Sequence, residues 1–297
     1  MAMTLTAAAR CVRAARLVTP CARSVRGLQH ASGEGVEVHV DDQGFANVTL
    51  ARGDKFNTFS DKVISRLDQV WNDLRAESGL RGMFLRAEGR FFSAGADLKW
   101  MKGSINYSKE QNQADAEALS NMLLNLNTLP MATIALVQGP AFGGGVGLVS
   151  CCDVAVATQS ANFTLSEVKL GIIPATISPY VIARIGAAQS RRYMLTAEAI
   201  SSTRAQEIGL VHEVVADEEG LREMETSLRQ ALLRAGPNAV AASKHLVTLV
   251  EQSENPSDLV VATARALAEQ RASEEGQAGL GAFFARKPAP WVPEDLA

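Results

Sequence analysis

Two short glycine-bearing segments, Phe91–Leu98 (FFSAGADL) and Gly139–Gly147 (GPAFGGGVG), constrain this chain more than any other feature. Each follows an apolar, strand-like run, Met83–Leu85 and Ala132–Val137, and each leads toward a helix. A strand–turn–helix junction leaves backbone N–H groups without intrahelical partners and aims them at whatever sits at the helix start. Two such junctions from separate parts of the chain can converge on one carbonyl oxygen. Developing negative charge is then held without a charged side chain. A single carboxylate, Glu167 in FTLSEVKLG, lies a little further on.

The triple glycine is not a nucleotide-binding signature. Gly143, Gly145 and then Leu148 fail the G-x-G-x-x-G spacing, and no Lys-Ser/Thr pair follows as in a P-loop. Standing alone it reads equally well as a flexible loop or a close-packed helix start. The uncharged stretch Met131–Cys152 is long enough to span a bilayer, at 22 residues. Pro140 and five glycines interrupt it, so a buried strand, a tight turn and a buried helix start are predicted instead, with no membrane span.

With 297 residues, 47% hydrophobic and 21% charged, one large domain or a domain with an appendage is expected. Residues 1–33 stand apart. They carry Arg10, Arg13, Arg16, Arg23 and Arg26 and no acid, which reads as an organelle transit peptide and predicts a mitochondrial matrix protein. Losing those five arginines takes the formal charge from −3 to −8, so no basic nucleic-acid surface is expected. Cys151 and Cys152 are adjacent and unsuited to bridging each other, and no Cys/His spacing suggests a metal site.

Val36–Val40 and Ala46–Ala51 alternate as a hairpin around Asp41–Gly44. Ser60 is placed to cap a helix to about Glu77 whose apolar face is Val63, Ile64, Leu67, Val70, Trp71 and Leu74. Strands over Gly82–Arg86, Ala132–Gln138 and Asp153–Thr158 alternate with a helix over about Ala114–Asn127. From Ser178 the pattern is nearly all helical: Pro179–Ile185, Ala188–Leu195, Ser202–Glu207, Glu218–Ala235, Asn238–Gln252, Pro256–Glu274 and Ala278–Phe284. An α/β core over 34–195 with a helical part over 196–297 is predicted, the latter needing a partner for its apolar faces.

The segments FNTF (Phe56–Phe59), FFSAGADLKWM (Phe91–Met101), ALVQGPAFGGGVGLVSCCD (Ala135–Asp153), FTLSEVKLGIIP (Phe163–Pro174) and AFFARKPAPW (Ala282–Trp291), in that order, resemble the enoyl-CoA hydratase/isomerase (crotonase) family. The resemblance implies an α/β fold, a spiral of β-β-α turns with C-terminal helices that build homotrimers, often paired into hexamers. It implies an acyl-CoA substrate, with coenzyme A arriving as part of that substrate and no separate cofactor. The backbone N–H groups of Ala96 and Gly144 match the family's oxyanion hole, and Glu167 matches one of its two catalytic glutamates. Ala94, Asp97, Leu98, Lys99, Phe142, Gly147 and Pro174 match its substrate-binding positions.

One departure stands out. The second family glutamate falls two residues after the triple glycine, where this chain has Gly147. Three consequences are open: Glu167 serves alone in hydration with water held by hydroxyls such as Thr176 or Ser178, the reaction is a Δ3,Δ2-enoyl-CoA isomerisation by Glu167 alone, or catalysis is degraded. AFGGGVGLVSCCD, LSEVKLGIIPATISPYV and RRYMLTAE resemble most the bacterial-type 3-methylglutaconyl-CoA hydratases of leucine breakdown, which likewise have glycine there. A substrate bearing its own carboxylate then avoids a second one; two anions about 5 Å apart repel by roughly 3 kcal/mol at an effective dielectric of about 20. Lys55, Lys99, Lys102, Arg286 and Lys287 are candidates for the coenzyme A phosphates, and Leu98, Trp100 and Phe142 for the acyl chain. Binding of RNA through the helix at Asp61–Ser78 is disfavoured, because Lys62, Arg66 and Arg75 are outnumbered by Asp61, Asp68, Asp73 and Glu77.

Overall fold

The computed structural model describes residues 31–253 and 255–296; of the Arg-rich leader only its last three residues fall within them. Those three form β1 (Ala31–Gly33), paired antiparallel with β2 (Val36–Val40), so the first sheet begins inside the segment read as leader. The predicted hairpin is present: β2 pairs antiparallel with β3 (Phe45–Leu50), and the Asp41 carboxylate closes the turn by accepting the amides of Gln43 and Phe45.

Beyond the hairpin, β4 (Gly82–Ala87), β5 (Ala132–Val137), β7 (Val154–Thr158) and β10 (Glu213–Val215) join in parallel, giving seven strands in the order β1-β2-β3-β4-β5-β7-β10. Their central strands are buried on both faces, which is why they read as continuous apolar runs. Along β4 and β5, Met83, Leu85, Ala135 and Val137 face one core, while Phe84, Ile134 and Leu136 face another, as a period of two requires.

The first core is closed by α1 (Asp61–Ala76), α3 (Lys109–Asn127), α4 (Gly144–Cys151) and α5 (Ser178–Thr196). Helix α1 follows the sequence reading closely: Ser60 caps it by accepting the Val63 amide, and the six predicted apolar residues are its buried face. Helix α3 starts earlier than predicted, with a capping box in which Ser108 and Gln111 satisfy each other's backbone amides. The break predicted between Ile185 and Ala188 is a kink inside α5 at Gly186, whose φ is 72° and ψ 163°. After the short α6 (Ser202–Glu207), α7 (Glu218–Arg234) covers the opposite core through Leu221, Met224, Leu228, Leu232 and Leu233.

A second, smaller sheet lies beside the first. Strands β6 (Ala141–Phe142), β8 (Asn162–Thr164) and β9 (Ile200–Ser201) pair with one another. Single bridges, Phe59 with Ala96 and Ser93 with Ala141, continue that ladder. The chain thus passes repeatedly from a large-sheet strand to a short step of the small ladder and then into a helix, the β-β-α spiral expected from the resemblance. The part read as nearly all helical, beyond residue 195, also contributes β9 to one sheet and β10 to the other. Two- and three-residue strands carry no periodicity to detect.

The final helices are α8 (Pro237–Glu251), α9 (Pro256–Ala272) and α10 (Glu274–Ala285), none of which buries a residue. Lys244 ties α8 to the core by donating to Asp153 Oδ2 at 2.7 Å. Among them Val260, Val261, Leu267, Phe283 and Phe284 stay exposed, the last at 78%. No helix among the described residues is long and apolar enough to cross a membrane, and Met131–Cys152 divides into β5, β6 and α4.

Candidate active site

The small ladder brings the two glycine segments together. Gly95 adopts φ 82°, a conformation that favours glycine, and its carbonyl accepts the Phe59 amide at 2.8 Å. The Asp97 amide donates back to the Phe59 carbonyl at 2.7 Å. These two bonds use the residues on either side of Ala96 and leave the Ala96 amide outside the ladder. Gly144 opens α4, where the first amides have no intrahelical acceptor. Among the described residues, neither the Ala96 nor the Gly144 amide has a hydrogen-bond partner.

The triple glycine owes its composition to three separate close approaches. A Cβ on Gly143 would stand 2.9 Å from Glu167 Oε1, one on Gly144 2.9 Å from a ring carbon of Phe59, and one on Gly145 2.9 Å from Ser93 Cβ. Gly143 also has φ 48° and ψ −113°, which an L side chain disfavours.

Ala96 and Gly144, the residues that carry the free amides, line a cavity of about 370 Å³. Phe59, Ala96, Gly144 and Glu167 form its base, and α2 (Leu98–Ser104) and α3 wall it with Leu98, Trp100 and Leu119. Ile172, Pro174 and Thr176 close the far side. Glu167 sits in a 3-10 turn, Glu167–Leu170, with Oε1 over Gly143 and Oε2 buried without a hydrogen-bond partner. Burial pushes its carboxyl above the ordinary 4.5, against a smaller opposing pull from its own backbone amide. A carboxyl so placed is suited to exchange a proton with a bound ligand. A second hollow of about 340 Å³, lined by Arg86, Glu218, Arg222 and Glu225, lies on the α7 side and contains neither free amide.

Of the residues singled out in the sequence, Ala94, Ala96, Leu98, Gly144, Glu167 and Pro174 line the cavity. Asp97 does not; it caps α2 by accepting the Lys99 and Trp100 amides and stands 3.9 Å from Arg52. Phe142 is not in the lining, its ring standing 6.2 Å from that of Phe91. Lys99 is exposed outside the cavity, as are Lys55, Lys102, Arg286 and Lys287. The Thr176 side of the water-holding pair is in the lining, whereas the Ser178 hydroxyl donates to the Ala175 carbonyl at 2.8 Å.

Gly147, matched by the resemblance to a substrate-binding position, does not line the cavity. It is buried in α4, off the cavity, and a Cβ there would meet Ile177 Cγ2 at 2.4 Å and Leu123 Cδ2 at 3.5 Å. A side chain at this position therefore requires Ile177 to move. Gly147→Glu is expected to lower the melting temperature through overpacking worth about 1–3 kcal/mol, and more if its carboxyl stays buried. Thermal unfolding checks this, and an unchanged melting temperature would contradict it.

Two residues escaped the sequence reading. Arg90, exposed, stacks its guanidinium 4.7 Å from the Phe91 ring centroid. Asp115 on α3 lines the cavity, and burial pushes its carboxyl above the ordinary 3.8. The available signal was a carboxylate on the helical stripe of Leu119 and Met122, at spacings of four and seven.

A model of the enoyl-CoA hydratase/isomerase family matches residues 41–294. An enoyl-CoA hydratase of Alternaria alternata, AKT6-1, is 34% identical over 226 residues, covering 76% of this chain and 74% of that protein. A putative enoyl-CoA hydratase of Thermus thermophilus is 29% identical over 84% of this chain and 98% of its own. Among solved structures, an enoyl-CoA hydratase from Shewanella pealeana superposes with a TM-score of 0.83 at 39% identity, covering 86% of this chain and 96% of that one.

Proposed function

The chain belongs to the enoyl-CoA hydratase/isomerase family, and from that premise we propose that it adds water to a 2-enoyl-CoA thioester, with 3-methylglutaconyl-CoA of leucine degradation as the substrate. The observation that carries the hydratase reading is the pair of unpartnered amides, Ala96 and Gly144, in one cavity with the half-buried Glu167. A thioester oxygen held by both amides collects the charge released when a nucleophile adds at Cβ. Preorganised donors of this kind are worth about 2.7–4 kcal/mol each. Glu167 acts as general acid/base, a role served by a pKa lifted by burial.

The substrate assignment rests on the segments that resemble the bacterial-type 3-methylglutaconyl-CoA hydratases, Ala141–Asp153, Leu165–Val181 and Arg191–Glu198. A short branched acyl group suits a cavity of this size with apolar walls at Leu98, Leu119 and Ile172 and hydroxyls at Ser104 and Thr176. The alternative, Δ3,Δ2-enoyl-CoA isomerisation by Glu167 alone, is favoured by the absence of a carboxyl at Gly147. The exposed apolar faces of α9 and α10 suit burial in a homotrimer or hexamer, to be read by light scattering. The Arg-rich leader supports a mitochondrial matrix address.

The test is a panel of crotonyl-, 3-methylcrotonyl-, 3-methylglutaconyl- and 3-enoyl-CoA. The highest kcat/KM is expected for water addition to 3-methylglutaconyl-CoA. Preference for double-bond migration in the 3-enoyl thioester would establish the isomerase instead.

A further inference from the structure

We propose that Asp115 is the second carboxyl group of the hydration reaction, delivered from α3 because the position the family uses on α4, Gly147, has no room for one. The inference rests on the hydratase reading above and not on the identity of the acyl group.

Asp115 lines the same cavity as Glu167, Ala96 and Gly144. Its companions on that wall of α3 are Ala116 and Leu119, so it is the one ionisable group that the helix turns toward the ligand space. Among the described residues no Lys, Arg or His lines the cavity, and Asp115 forms no ion pair. The charge acting on it is anionic: Asp61 at the start of α1 raises its pKa further. A half-buried carboxyl with no cation costs folding free energy, so stability gives no reason for it to be there.

Trp100, which shares the lining with Asp115, has its indole N–H buried without a hydrogen-bond partner, a donor left for a ligand or for the Asp115 carboxylate. Glu167 Oε2 has no comparable donor. The two carboxyls differ in surroundings, Asp115 on α3 near Trp100 and Glu167 over the Gly143 backbone, and on this proposal Asp115 takes the part of base and Glu167 that of acid.

Hydration then balances as follows. Ionised Asp115 takes a proton from water as the water oxygen bonds to Cβ. The Cα–Cβ π pair moves toward the thioester carbon, and charge collects on the oxygen held by Ala96 and Gly144. Protonated Glu167 gives its proton to Cα and the carbonyl re-forms. The proton left on Asp115 returns to Glu167 through solvent, completing the cycle.

The experiment compares the full-length protein with Asp115→Asn and Asp115→Glu. Water addition to crotonyl-CoA and 3-methylglutaconyl-CoA is measured beside affinity for the saturated thioester butyryl-CoA. Asp115→Asn is expected to lose about 10²–10⁴-fold in kcat on every thioester that the wild type hydrates. Affinity for butyryl-CoA should stay unchanged, and Asp115→Glu should recover part of the rate. Unchanged hydration in Asp115→Asn overturns the proposal, as does parallel loss of hydration and butyryl-CoA affinity. A rise in KM confined to 3-methylglutaconyl-CoA also overturns it, pointing to recognition of the acyl tail. A wild type that hydrates crotonyl-CoA but not 3-methylglutaconyl-CoA overturns only the substrate assignment. One that hydrates neither overturns both readings.

Discussion

Glu167→Gln is expected to lower kcat for water addition by about 10²–10⁴-fold, the usual contribution of a positioned acid/base, while acyl-CoA affinity stays close to wild type. The amide is isosteric with the carboxyl, so the contact with the bare Gly143 is kept and the two free amides are undisturbed. The same variant has a thermodynamic signature. Burial lifts the native-state pKa above the ordinary 4.5, so the native protein holds a proton that the unfolded chain has already released. Stability therefore falls as pH rises from the ordinary glutamate value to the native one, and the whole penalty is present above that window. Glu167→Gln, neutral throughout, should melt at a higher temperature than wild type above the window, with the gain vanishing as pH drops below the ordinary value. Steady-state kinetics and melting curves across pH read both effects. Full activity in the variant would remove Glu167 from the mechanism.

Ala96→Pro carries the second large effect. Proline deletes the amide proposed to hold the thioester oxygen, and losing one such donor costs about 10²–10³-fold in kcat. The substitution removes no ladder hydrogen bond, because those bonds belong to Gly95, Asp97 and Phe59 rather than to Ala96. The residue before the new proline is a glycine, which eases the steric restriction that proline imposes on its predecessor. Ala96→Ser, which keeps the amide, should retain near-normal turnover. A folded Ala96→Pro enzyme with unchanged kcat would rule out the oxyanion role.

Much of this architecture was legible in the residues. The apolar stripe of α1, the Ser60 cap and the hairpin at Asp41–Gly44 are local signals, and each appears in the structure as read. The elements that escaped are short and depend on distant pairing: β6, β8, β9 and β10, with two or three residues each. Such segments are fixed by their ladder partners rather than by propensity. Within the site, Glu167 and the glycines announced themselves by motif. Asp115 did not, because a carboxylate beside Glu117 on a helix reads as a solvated face until a cavity is seen against it.

The order of motifs along the chain determined the family, the oxyanion-type junctions and the loss of a glutamate at Gly147. Tertiary structure alone decided what fills the space beside that position and which other carboxyl lines the cavity. Ile177 and Leu123 occupy the space beside Gly147, while α3 carries Asp115 to the cavity from 29 residues before Gly144. Side-chain volume and helix packing act between residues remote in sequence, and no local pattern records them.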